Sequence, residues 1–450
     1  MLANDGVIFI SIDDSEQENM RRLCNEVFGE ENFVAQFIWQ KRTSPDARKK
    51  ISNGHEYIVM YCKTADLLND SIFLLPLTDK DKENYKNPDN DVRGPWVSSD
   101  FTAQGYRPNQ MYKITTPGGT EYYPPAGTCW KNVEEIYLQQ AAEGRFWYGT
   151  DGNGMPRRKT YLAEKQGKNM WTWWPNSEVG HTQEATKEIK SLFADTPTIF
   201  DFPKPTKLLK RMISISSKDD DIILDFFSGS ATTAHAIMQL NAEDGGNRKF
   251  IMVQLPEPCA EGTEAAKAGY QNICEIGKER IRRAGEKIKA EIEEQNAQLK
   301  IGEEPKKVPD IGFKVFKLDS SNLKQWQPDY DDLETTLFDS ISNYVEGRSE
   351  LDVVYEIMLK MGMELTWPLE THTIGGKNVY EIGMGALMIC LDDQITTEVA
   401  EGMAALYKEL APETWRVVFK DNGFADDSAK VNIKEILKTA GLEEDAFTTV

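Results

Sequence analysis

The chain has 450 residues, of which 40% are hydrophobic and 28% are charged, and this length suits about two to four globular domains. No apolar run approaches the roughly 20 residues that cross a bilayer, and no basic region followed by an apolar one opens the chain, so we expect a cytoplasmic protein with no membrane partner. The net charge of −21 argues against binding to nucleic acid, because phosphate contacts rest on Lys and Arg.

The distribution of the charge weakens that argument. Residues 101–174 carry nine Lys and Arg against six Asp and Glu, whereas residues 311–450 carry twelve against twenty-six. A mildly basic segment inside an acidic chain is typical of a domain that faces nucleic acid, although acidic surfaces also keep proteins soluble. Charge alone leaves both interpretations open.

The first 90 residues predict strands that alternate with helices. "DGVIFISIDD" predicts a buried strand, "SEQENMRRLCNEVFG" has the apolar spacing of a helix, and "HEYIVMYCK" predicts a second strand. Asp13 and Asp14 end the first strand, where they either shape a pocket or cap the next helix. A run rich in Asp, Asn, Lys and Pro over residues 78–95 then indicates a boundary.

The segment from residue 96 to residue 175 is rich in Gly, Pro, Tyr and Trp and predicts short strands with paired turns. Its clear helix is "NVEEIYLQQAAEG". The tryptophans Trp171, Trp173 and Trp174 either contact DNA or form a local core, and a local core is the commoner role of such a cluster.

Three basic residues follow a Gly-rich turn in the same segment, namely Arg157, Arg158 and Lys159. Such residues either lie against phosphates or form a solvated charge run. We predict that Arg157, Arg158 and Lys159 contact DNA, with a solvated charge run as the alternative.

The α/β pattern resumes after this insert. In chain order the sequence predicts a helix at "KPTKLLKRMISIS", a strand at "DIILDFF", a helix at "TAHAIMQLNA", a strand at "KFIMVQL" and a long charged helix over residues 271–300. The linker "IGEEPKKVPD" leads to an acidic α/β domain with strands at "ALMICLDD" and "WRVVFKD". Six cysteines without a Cys-x-x-Cys pair and four scattered histidines predict buried free thiols, with neither a metal site nor disulfides.

The stretch "DIILDFFSGSATTAHAIMQL" predicts a strand, a loop of small residues and a helix, which is a unit that binds nucleotides. The fingerprint G-x-G-x-x-G is met only loosely, by Gly229, Ala231 and Ala234. Asp225 at the tip of the strand would repel a pyrophosphate but would pair with the ammonium group of a methionine moiety. The alternative role for Asp225 is that of a turn or cap acid.

These residues carry a family resemblance. "LDFFSGSATTAHA" resembles the motif D-x-F-x-G-S-G-T-T of amino-methylating DNA methyltransferases, and "FDFPKPTKLLKRM" resembles the K-P-x-x-L segment that lines the methionine end of their cofactor. "NMWTWWPNSEVGHTQEATKEIKSLF", "NAEDGGNRKFIMVQLPEP" and "FKVFKLDSSNLKQW" resemble the modification subunit of type III restriction-modification systems. The combination of motifs is specific, although each motif alone is weak.

The resemblance implies a set of residues that bind S-adenosylmethionine: Asp225, Phe227, Gly229, Ser230, Thr232, Phe202, Lys204, Pro205, Gln254 and Glu257. Either Gln254 or Glu257 is expected at the ribose. Ala231 replaces a glycine of the family motif. If Ala231 has an ordinary helical conformation, its methyl group is harmless. In another conformation the methyl group could crowd the cofactor. His181 and His235 are expected to have structural roles.

One motif of the resembled family is absent. Methyltransferases that act on exocyclic amines use D/N/S-P-P-Y/F/W, in which the acid or amide accepts hydrogen bonds from the amine and the aromatic ring stacks on the flipped base. The single Pro-Pro pair, Pro124-Pro125, is preceded by Tyr123 and followed by Ala126, and so fits neither end of the motif. The catalytic residues are therefore unknown, and we expect that Met1 lies inside a longer reading frame.

The resemblance implies an α/β fold: an incomplete Rossmann-like S-adenosylmethionine-dependent core, an inserted loop-rich target-recognition domain and a C-terminal α/β domain. The expected limits are 1–90 and 199–300 for the two halves of the core, 91–198 for the insert and 311–450 for the C-terminal domain. The implied function is site-specific adenine-N6 methylation of double-stranded DNA. The implied partners are a restriction (helicase-nuclease) subunit, a second copy in a homodimer and an upstream methyltransferase fragment. The alternatives are a noncatalytic DNA- or cofactor-binding assembly module and an unrelated Rossmann-like nucleotide enzyme.

Overall fold

The computed structural model describes residues 2–196, 198–300, 302–324 and 344–450. The chain forms two compact units, residues 1–312 and 313–450, and their boundary follows the predicted linker directly. The last two residues of "FKVFKLDSSNLKQW" lie outside the described residues. Among the described helices, none combines the length and the apolar character that a membrane-spanning helix needs.

The first unit contains strands and helices in alternation. Its strands are β1 (Val7–Ile12), β2 (Phe33–Gln40), β3 (His55–Cys62), β4 (Trp96–Asp100), β5 (Thr102–Gln104), β6 (Ile114–Thr115), β7 (Glu121–Tyr122), β8 (Thr128–Trp130), β9 (Phe146–Trp147), β10 (Arg157–Tyr161), β11 (Trp173–Trp174), β12 (Ile222–Asp225) and β13 (Lys249–Met252). Its helices are α1 (Gln17–Phe28), α2 (Leu68–Ser71), α3 (Asp79–Lys82), α4 (Glu134–Ala142), α5 (Asn176–Val179), α6 (Thr182–Leu192), α7 (Thr206–Ser214), α8 (Thr232–Asp244), α9 (Glu264–Lys267) and α10 (Ile273–Ala297).

Four of these strands form one mixed sheet in the order β1-β3-β2-β11. The central strand β3 is buried over most of its length, and it pairs antiparallel with β1 and β2. On one face Cys24 of α1 packs with Val59 and Tyr61, and on the other face Leu208 of α7 packs with Phe37. The sheet is therefore covered by a helix on each face.

The tryptophan cluster is divided by the fold. Trp174 is buried, stacks on Phe37 with ring centroids 4.3 Å apart, and lies in β11, which pairs parallel with β2. Trp171 and Trp173 are exposed. The core role thus applies to Trp174, and the core is that of the main sheet rather than one inside the insert.

The insert has a small core of its own. Its β4-β10-β9 sheet and two short antiparallel strand pairs, β5-β8 and β6-β7, surround a cluster of buried aromatic residues: Phe101, Trp130, Tyr137 and Phe146. The predicted helix is α4, which contributes Tyr137. Residues 173–180, which lie within the predicted limits of the insert, pair and pack with the main sheet.

The strand-loop-helix unit is present as predicted. Strands β12 and β13 pair in parallel, and the buried helix α8 connects them on one face. This arrangement is the βαβ unit of a Rossmann-like fold, which confirms the expected α/β class.

Several strand edges in the first unit have no neighbour among the residues that the structure describes, and two of them belong to β1 and β12. β12 pairs with β13 alone and β1 pairs with β3 alone. The apolar side chains of Ile222, Leu224 and Ile251, on the face of the β12-β13 pair opposite α8, are also exposed. An ion pair at 3.9 Å between Lys218 Nζ and Asp5 Oδ2 brings the starts of the two edge strands together, next to a cavity of 670 Å³.

The second unit is an α/β domain with helices on both faces of one sheet. A sheet of order β14-β15-β16-β17-β18 packs between helices, and its elements are β14 (Leu369–Ile374), β15 (Lys377–Ile382), β16 (Leu387–Cys390), β17 (Arg416–Phe419), β18 (Phe447–Thr449), α11 (Glu350–Lys360), α12 (Thr397–Leu410) and α13 (Asp427–Ala440). The apolar side chains of α12 and α13 cover one face and those of α11 cover the other.

Candidate functional site

The loop between β12 and α8, residues 226–231, is fixed to the end of β13. The backbone N–H of Ser228 donates to the carbonyl of Val253 at 3.2 Å, and the N–H of Gly229 donates to Oε1 of Gln254 at 2.7 Å. The loop closes on itself through a 2.7 Å bond from the N–H of Ala231 to the carbonyl of Ser228. The carboxyl ends of both parallel strands therefore meet at this loop, as they do in nucleotide-binding sheets.

The loop needs a left-handed backbone at two positions. Gly229 has φ 50° and Ala231 has φ 57°, ψ 40°, and for alanine this conformation costs about 1 kcal/mol. The Ala231 methyl group is buried and lies 3.6 Å from the position that a Cβ on Gly277 of α10 would take. The methyl group thus packs toward α10, and we do not expect it to crowd a ligand on the outer side of the loop.

Asp225 lies at the carboxyl end of β12 and orders the start of the loop. Its Oδ1 accepts the N–H of Phe227 at 3.3 Å, and its Oδ2 accepts the hydroxyl of Thr233 at 2.5 Å. A carboxylate has about four acceptor positions, so two remain for a ligand. The cap role and the ligand role are compatible in this geometry.

A buried cation lies beneath the loop. Arg280 of α10 is 0% exposed, and its Nη1 donates to the hydroxyls of Ser230 at 2.8 Å and Thr232 at 2.6 Å. Burial lowers the pKa of Arg280 to about 10, against an opposing effect of Glu188, so the guanidinium is charged at neutral pH. Among the described residues its Nε and Nη2 have no hydrogen-bond partner, which is unusual for buried donors.

Arg280 is a site residue that sequence reasoning missed. It stands four residues from Ile276 and from Ala284, on the apolar stripe by which α10 packs into the unit. A basic residue within an apolar helix stripe indicates a buried polar role. The spacing of "ICEIGKERIRRAG" was the signal that could have found it.

The segment that precedes α7 borders the loop. The ring of Phe200 lies 3.3 Å from the position of a Cβ on Gly229. Phe202 is 82% exposed with φ 52°, and Phe227 in the loop is 80% exposed. Two aromatic rings are therefore open to solvent on the two segments that frame the site.

Lys204 and Pro205 connect this segment to the main sheet. Lys204 Nζ forms an ion pair with Glu56 of β3 and lies 4.9 Å from the ring centroid of Trp39. Burial opposes ionisation of Glu56, but Lys204 and Lys41 outweigh it and hold the pKa of the carboxyl below its ordinary value. Pro205 directly precedes α7. Lys204 thus acts as a link between the two halves of the core.

Gln254 and Glu257, the two residues expected at the ribose, differ in whether their side chains are free to bind a ligand. Gln254 uses Oε1 to accept from Gly229, and its Nε2 donates to the Leu255 carbonyl at 3.3 Å. Glu257 is exposed, and within the described chain its carboxylate has no hydrogen bond. Glu257 is accordingly the freer group for a diol, while Gln254 shapes the loop.

The histidines and acids near the site have structural roles. His181 accepts the N–H of Glu184 with its Nδ1 and so caps α6. Burial lowers the pKa of His235 to about 3, which keeps its imidazole neutral. Asp13 accepts from Ser15 and Asp14 accepts from Asn53, and neither caps α1.

Of the three predicted basic residues of the insert, the two arginines are exposed and the lysine is buried. Arg158 is exposed, and Arg157 is exposed but paired with Asp100 and hydrogen bonded to Ser98 at 2.9 Å. Lys159 is 5% exposed, and its ammonium is taken by Asp89 and by Asp91. The prediction that Lys159 contacts DNA is therefore corrected, because its charge is used inside the insert.

The comparisons identify the family. Residues 1–286 match the DNA methylase family N6_N4_Mtase, so the chain belongs to that family. The chain is 37% identical over 326 residues to the Mod subunit of the type III restriction-modification enzyme StyLTI of Salmonella typhimurium, covering 70% of this chain and 46% of that protein. It is 27% identical over 489 residues to the EcoP15I Mod subunit of Escherichia coli, covering 98% and 69%.

A type II relative matches as well. The methyltransferase M.KpnI of Klebsiella pneumoniae is 31% identical over 294 residues, with 61% of this chain and 68% of that protein covered. These matches confirm the resemblance to type III modification subunits and to DNA methyltransferases. The chain spans about half the length of the StyLTI relative.

The site residues fit the methionine end of S-adenosylmethionine. Asp225 has acceptor capacity for an ammonium group. Exposed Phe227 and free Glu257 supply an aromatic face and an acceptor for a nucleoside. The donors, acceptors and apolar surface of the site are thus complementary to this cofactor.

We predict that Lys159→Gln lowers the free energy of unfolding by about 3 kcal/mol, because the buried carboxylate of Asp91 and the partly buried carboxylate of Asp89 lose their cation. Arg158→Gln, a neighbour on the exposed side of β10, should change it by less than about 0.5 kcal/mol. Urea unfolding followed by tryptophan fluorescence measures both. Equal effects of the two substitutions would contradict the buried role of Lys159.

The effect of Lys159→Gln on the free energy of unfolding should depend on pH. A hydrogen bond from Arg93, with further bonds from Lys159 and Tyr161, outweighs burial and holds the pKa of Asp91 well below its ordinary value. A depressed folded-state pKa contributes stability above the unfolded pKa that is lost as the pH falls. The stability difference between the wild type and Lys159→Gln should therefore be full near neutral pH and shrink as the pH falls below about 4, the ordinary pKa of an Asp carboxyl.

Proposed function

We propose that this chain is the cofactor- and DNA-binding part of a site-specific DNA adenine-N6 methyltransferase, the modification subunit of a type III restriction-modification system. Membership of the DNA methylase family and the type III relatives support this assignment. S-adenosylmethionine, when bound, would supply the methyl group. The residues of this chain bind and orient it.

The observation that carries the proposal is the construction of the β12–α8 loop. Asp225 at the strand end keeps free acceptor positions, Gln254 fixes Gly229, and the buried Arg280 fixes Ser230 and Thr232. Each of these contacts holds the loop in one shape before a ligand arrives. A preorganised loop binds with a smaller loss of conformational entropy.

The remaining predicted contacts complete the proposed cofactor site. Phe227 and Phe202 offer rings for contact with the adenosine or methionine part, and Glu257 accepts from the ribose hydroxyls. Lys204 and Pro205 hold the bordering segment against the main sheet through Glu56. We propose these roles for the residues named by the family motif.

We propose that a further polypeptide segment supplies the group that accepts hydrogen bonds from the adenine amine. The 450 residues contain no Asp/Asn/Ser-Pro-Pro-aromatic motif, whereas the described residues leave one edge of β1 and one edge of β12 unpaired. A strand placed between them would pair both edges, and a helix in the same added segment that packs on the open face would cover Ile222, Leu224 and Ile251. An upstream methyltransferase fragment that carries this strand and the motif is the proposed occupant.

The insert is the proposed target-recognition surface for double-stranded DNA. Arg158 is exposed on β10, and Arg157 beside it forms its ion pair at the surface. Contacts of this kind position a protein on phosphates, while base recognition needs further side chains. A restriction subunit and a second copy of the chain are proposed partners by relation to the Mod subunits, with the C-terminal unit as their contact region.

We expect Asp225→Ala to weaken the binding of S-adenosylmethionine at least about tenfold, because the ammonium group loses a charged acceptor. Binding to duplex DNA should be nearly unchanged. Asp220→Ala is the matched control, since Asp220 is an exposed acid just before the same strand. Isothermal titration measures both ligands, and equal losses of the two affinities in Asp225→Ala would count against the proposed site.

A second prediction concerns the missing motif. Transfer of labelled methyl groups from S-adenosylmethionine to adenine-containing duplex DNA should require the polypeptide encoded directly upstream, and this chain alone should give none. Ile222→Lys, on the uncovered face of β12, should abolish transfer in the mixture but leave cofactor binding intact. Transfer by the chain alone would refute the need for the added segment.

The role of the insert can be tested by salt dependence. Replacing Arg157 and Arg158 by Ala should lower the slope of log affinity against log salt by about 0.9 for each phosphate that the protein no longer neutralises. Lys187→Ala, an exposed lysine of α6 outside the insert strands, should leave the slope unchanged. An unaltered slope in the double variant would remove β10 from the DNA interface.

A noncatalytic binding module is the second candidate, and the absent proline motif is the observation that favours it. Under this alternative the chain binds S-adenosylmethionine and DNA but transfers no methyl group with or without the upstream polypeptide. The mixing experiment separates the two functions directly.

A further inference from the structure

Three potential metal ligands meet on the β14–β15 hairpin of the second unit, which is a different unit from the one that holds the cofactor loop. Glu370 and His372 lie on β14, and Glu381 lies on β15. His372 Nε2 is 3.9 Å from Glu370 Oε2 and 4.0 Å from Glu381 Oε2, and one ligand atom from each residue lies within 4.8 Å of the others. We call these three residues the hairpin cluster.

Strand pairing brings the cluster together. The two strands are joined through Gly375 and Gly376, whose φ values of 56° and 76° form a tight turn. Glu370 lies directly opposite Glu381 in the antiparallel register, and His372 is two residues from Glu370 on the same face. Residues eleven positions apart in the sequence therefore become direct neighbours.

The charges of the cluster are not balanced. Like charges opposite each other destabilise a sheet, and Glu381 is only 4% exposed, which adds a cost of desolvation. Within the described part of the chain, neither Glu370 nor Glu381 forms an ion pair with Lys or Arg. A buried carboxylate in this setting needs a cation from another source.

The surroundings of His372 Nε2 point to the same need. His372 Nε2 is inaccessible to solvent and has no hydrogen-bond partner among the described residues. Glu381 uses Oε1 to accept the N–H of Gly385, which leaves Oε2 facing His372 at 4.0 Å. A buried imidazole nitrogen without a hydrogen-bond partner, facing the carboxylate of a buried glutamate, is suited to coordinate an ion.

The geometry is close to that of a bound ion. Three atoms at these separations lie at most about 2.5 Å from a common centre, and zinc sites have ligand distances of about 2.0–2.2 Å. Movements of a few tenths of an ångström by Glu370, which is largely exposed and free to adjust, would close the difference. The imidazole ligand favours zinc or a similar transition ion over Mg²⁺ or Ca²⁺.

We propose that Glu370, His372 and Glu381 form a binding site for a divalent transition-metal ion of the zinc type, which ties the edge strand β14 to β15. This site replaces the expectation from the sequence that the chain has no metal ligands grouped together. The proposal is independent of the methyltransferase function, because it concerns the other unit of the chain.

The test uses the full-length chain, stripped with a chelator and dialysed against Zn²⁺, with bound metal measured by mass spectrometry. We expect one zinc per chain, at least a tenfold loss of affinity in His372→Ala, and a similar loss in Glu370→Gln. His55→Ala removes a histidine elsewhere and should bind zinc as the wild type does. The exposed position of Glu370 keeps its variant informative even if substitution of a buried ligand impairs folding.

Absorption of Co²⁺ in place of Zn²⁺ supplies a second measurement. Visible bands from the bound ion should appear with the wild type and disappear in His372→Ala. An absence of metal binding by the wild type, with His372 acting only as a protonated partner of the two carboxylates, would overturn the proposal. Equal zinc binding by the His372 and His55 variants would overturn it as well.

Discussion

The buried guanidinium of Arg280 is the group on which the proposed cofactor site depends. Removal of this charge from water is costly, and the cost is offset only where the group donates to fixed acceptors. The hydroxyls of Ser230 and Thr232 are those acceptors, so the loop conformation and the burial of Arg280 require each other. Gln254 holds the opposite side through Gly229. The loop is therefore shaped from below by a helix and from the side by a strand end.

The second constraint is the open sheet. Helix α7 packs on both the β1-β3-β2-β11 sheet and the β12-β13 pair, and the segment before it is tied to the main sheet by the ion pair of Lys204 with Glu56. Unpaired edges and exposed apolar side chains carry a free-energy cost in water that a complementary segment, which supplies a strand for the edges and an element packed on the open face, removes. Binding of such a strand would stabilise the fold and deliver the catalytic motif in the same event, which links folding to activity.

The sequence predicted local units better than their contacts. The "DIILDFFSGSATTAHA" stretch has a period and composition that specify strand, loop and helix, and the observed β12, loop and α8 confirm this. Strand β2 was not predicted, nor was its pairing with Trp173 and Trp174 about 135 residues later, because such pairing depends on the whole fold. Lys159 was misassigned for a related reason: its partners Asp89 and Asp91 lie about 70 residues away. Lys159 and Tyr161 are two residues apart on β10 and therefore lie on the same face of the strand, and this spacing could have indicated that Lys159 points inward.

The most direct test of the central claim is amide hydrogen exchange of the full chain with and without S-adenosylmethionine. Binding at the proposed site should slow the exchange of residues 226–234 and of residues 253–257, while the second unit, residues 313–450, should exchange as before. In Arg280→Met the loop should exchange faster in the free protein, because the hydroxyls of Ser230 and Thr232 no longer have a donor beneath them. Saturating cofactor binding that leaves residues 226–234 unprotected would contradict the account.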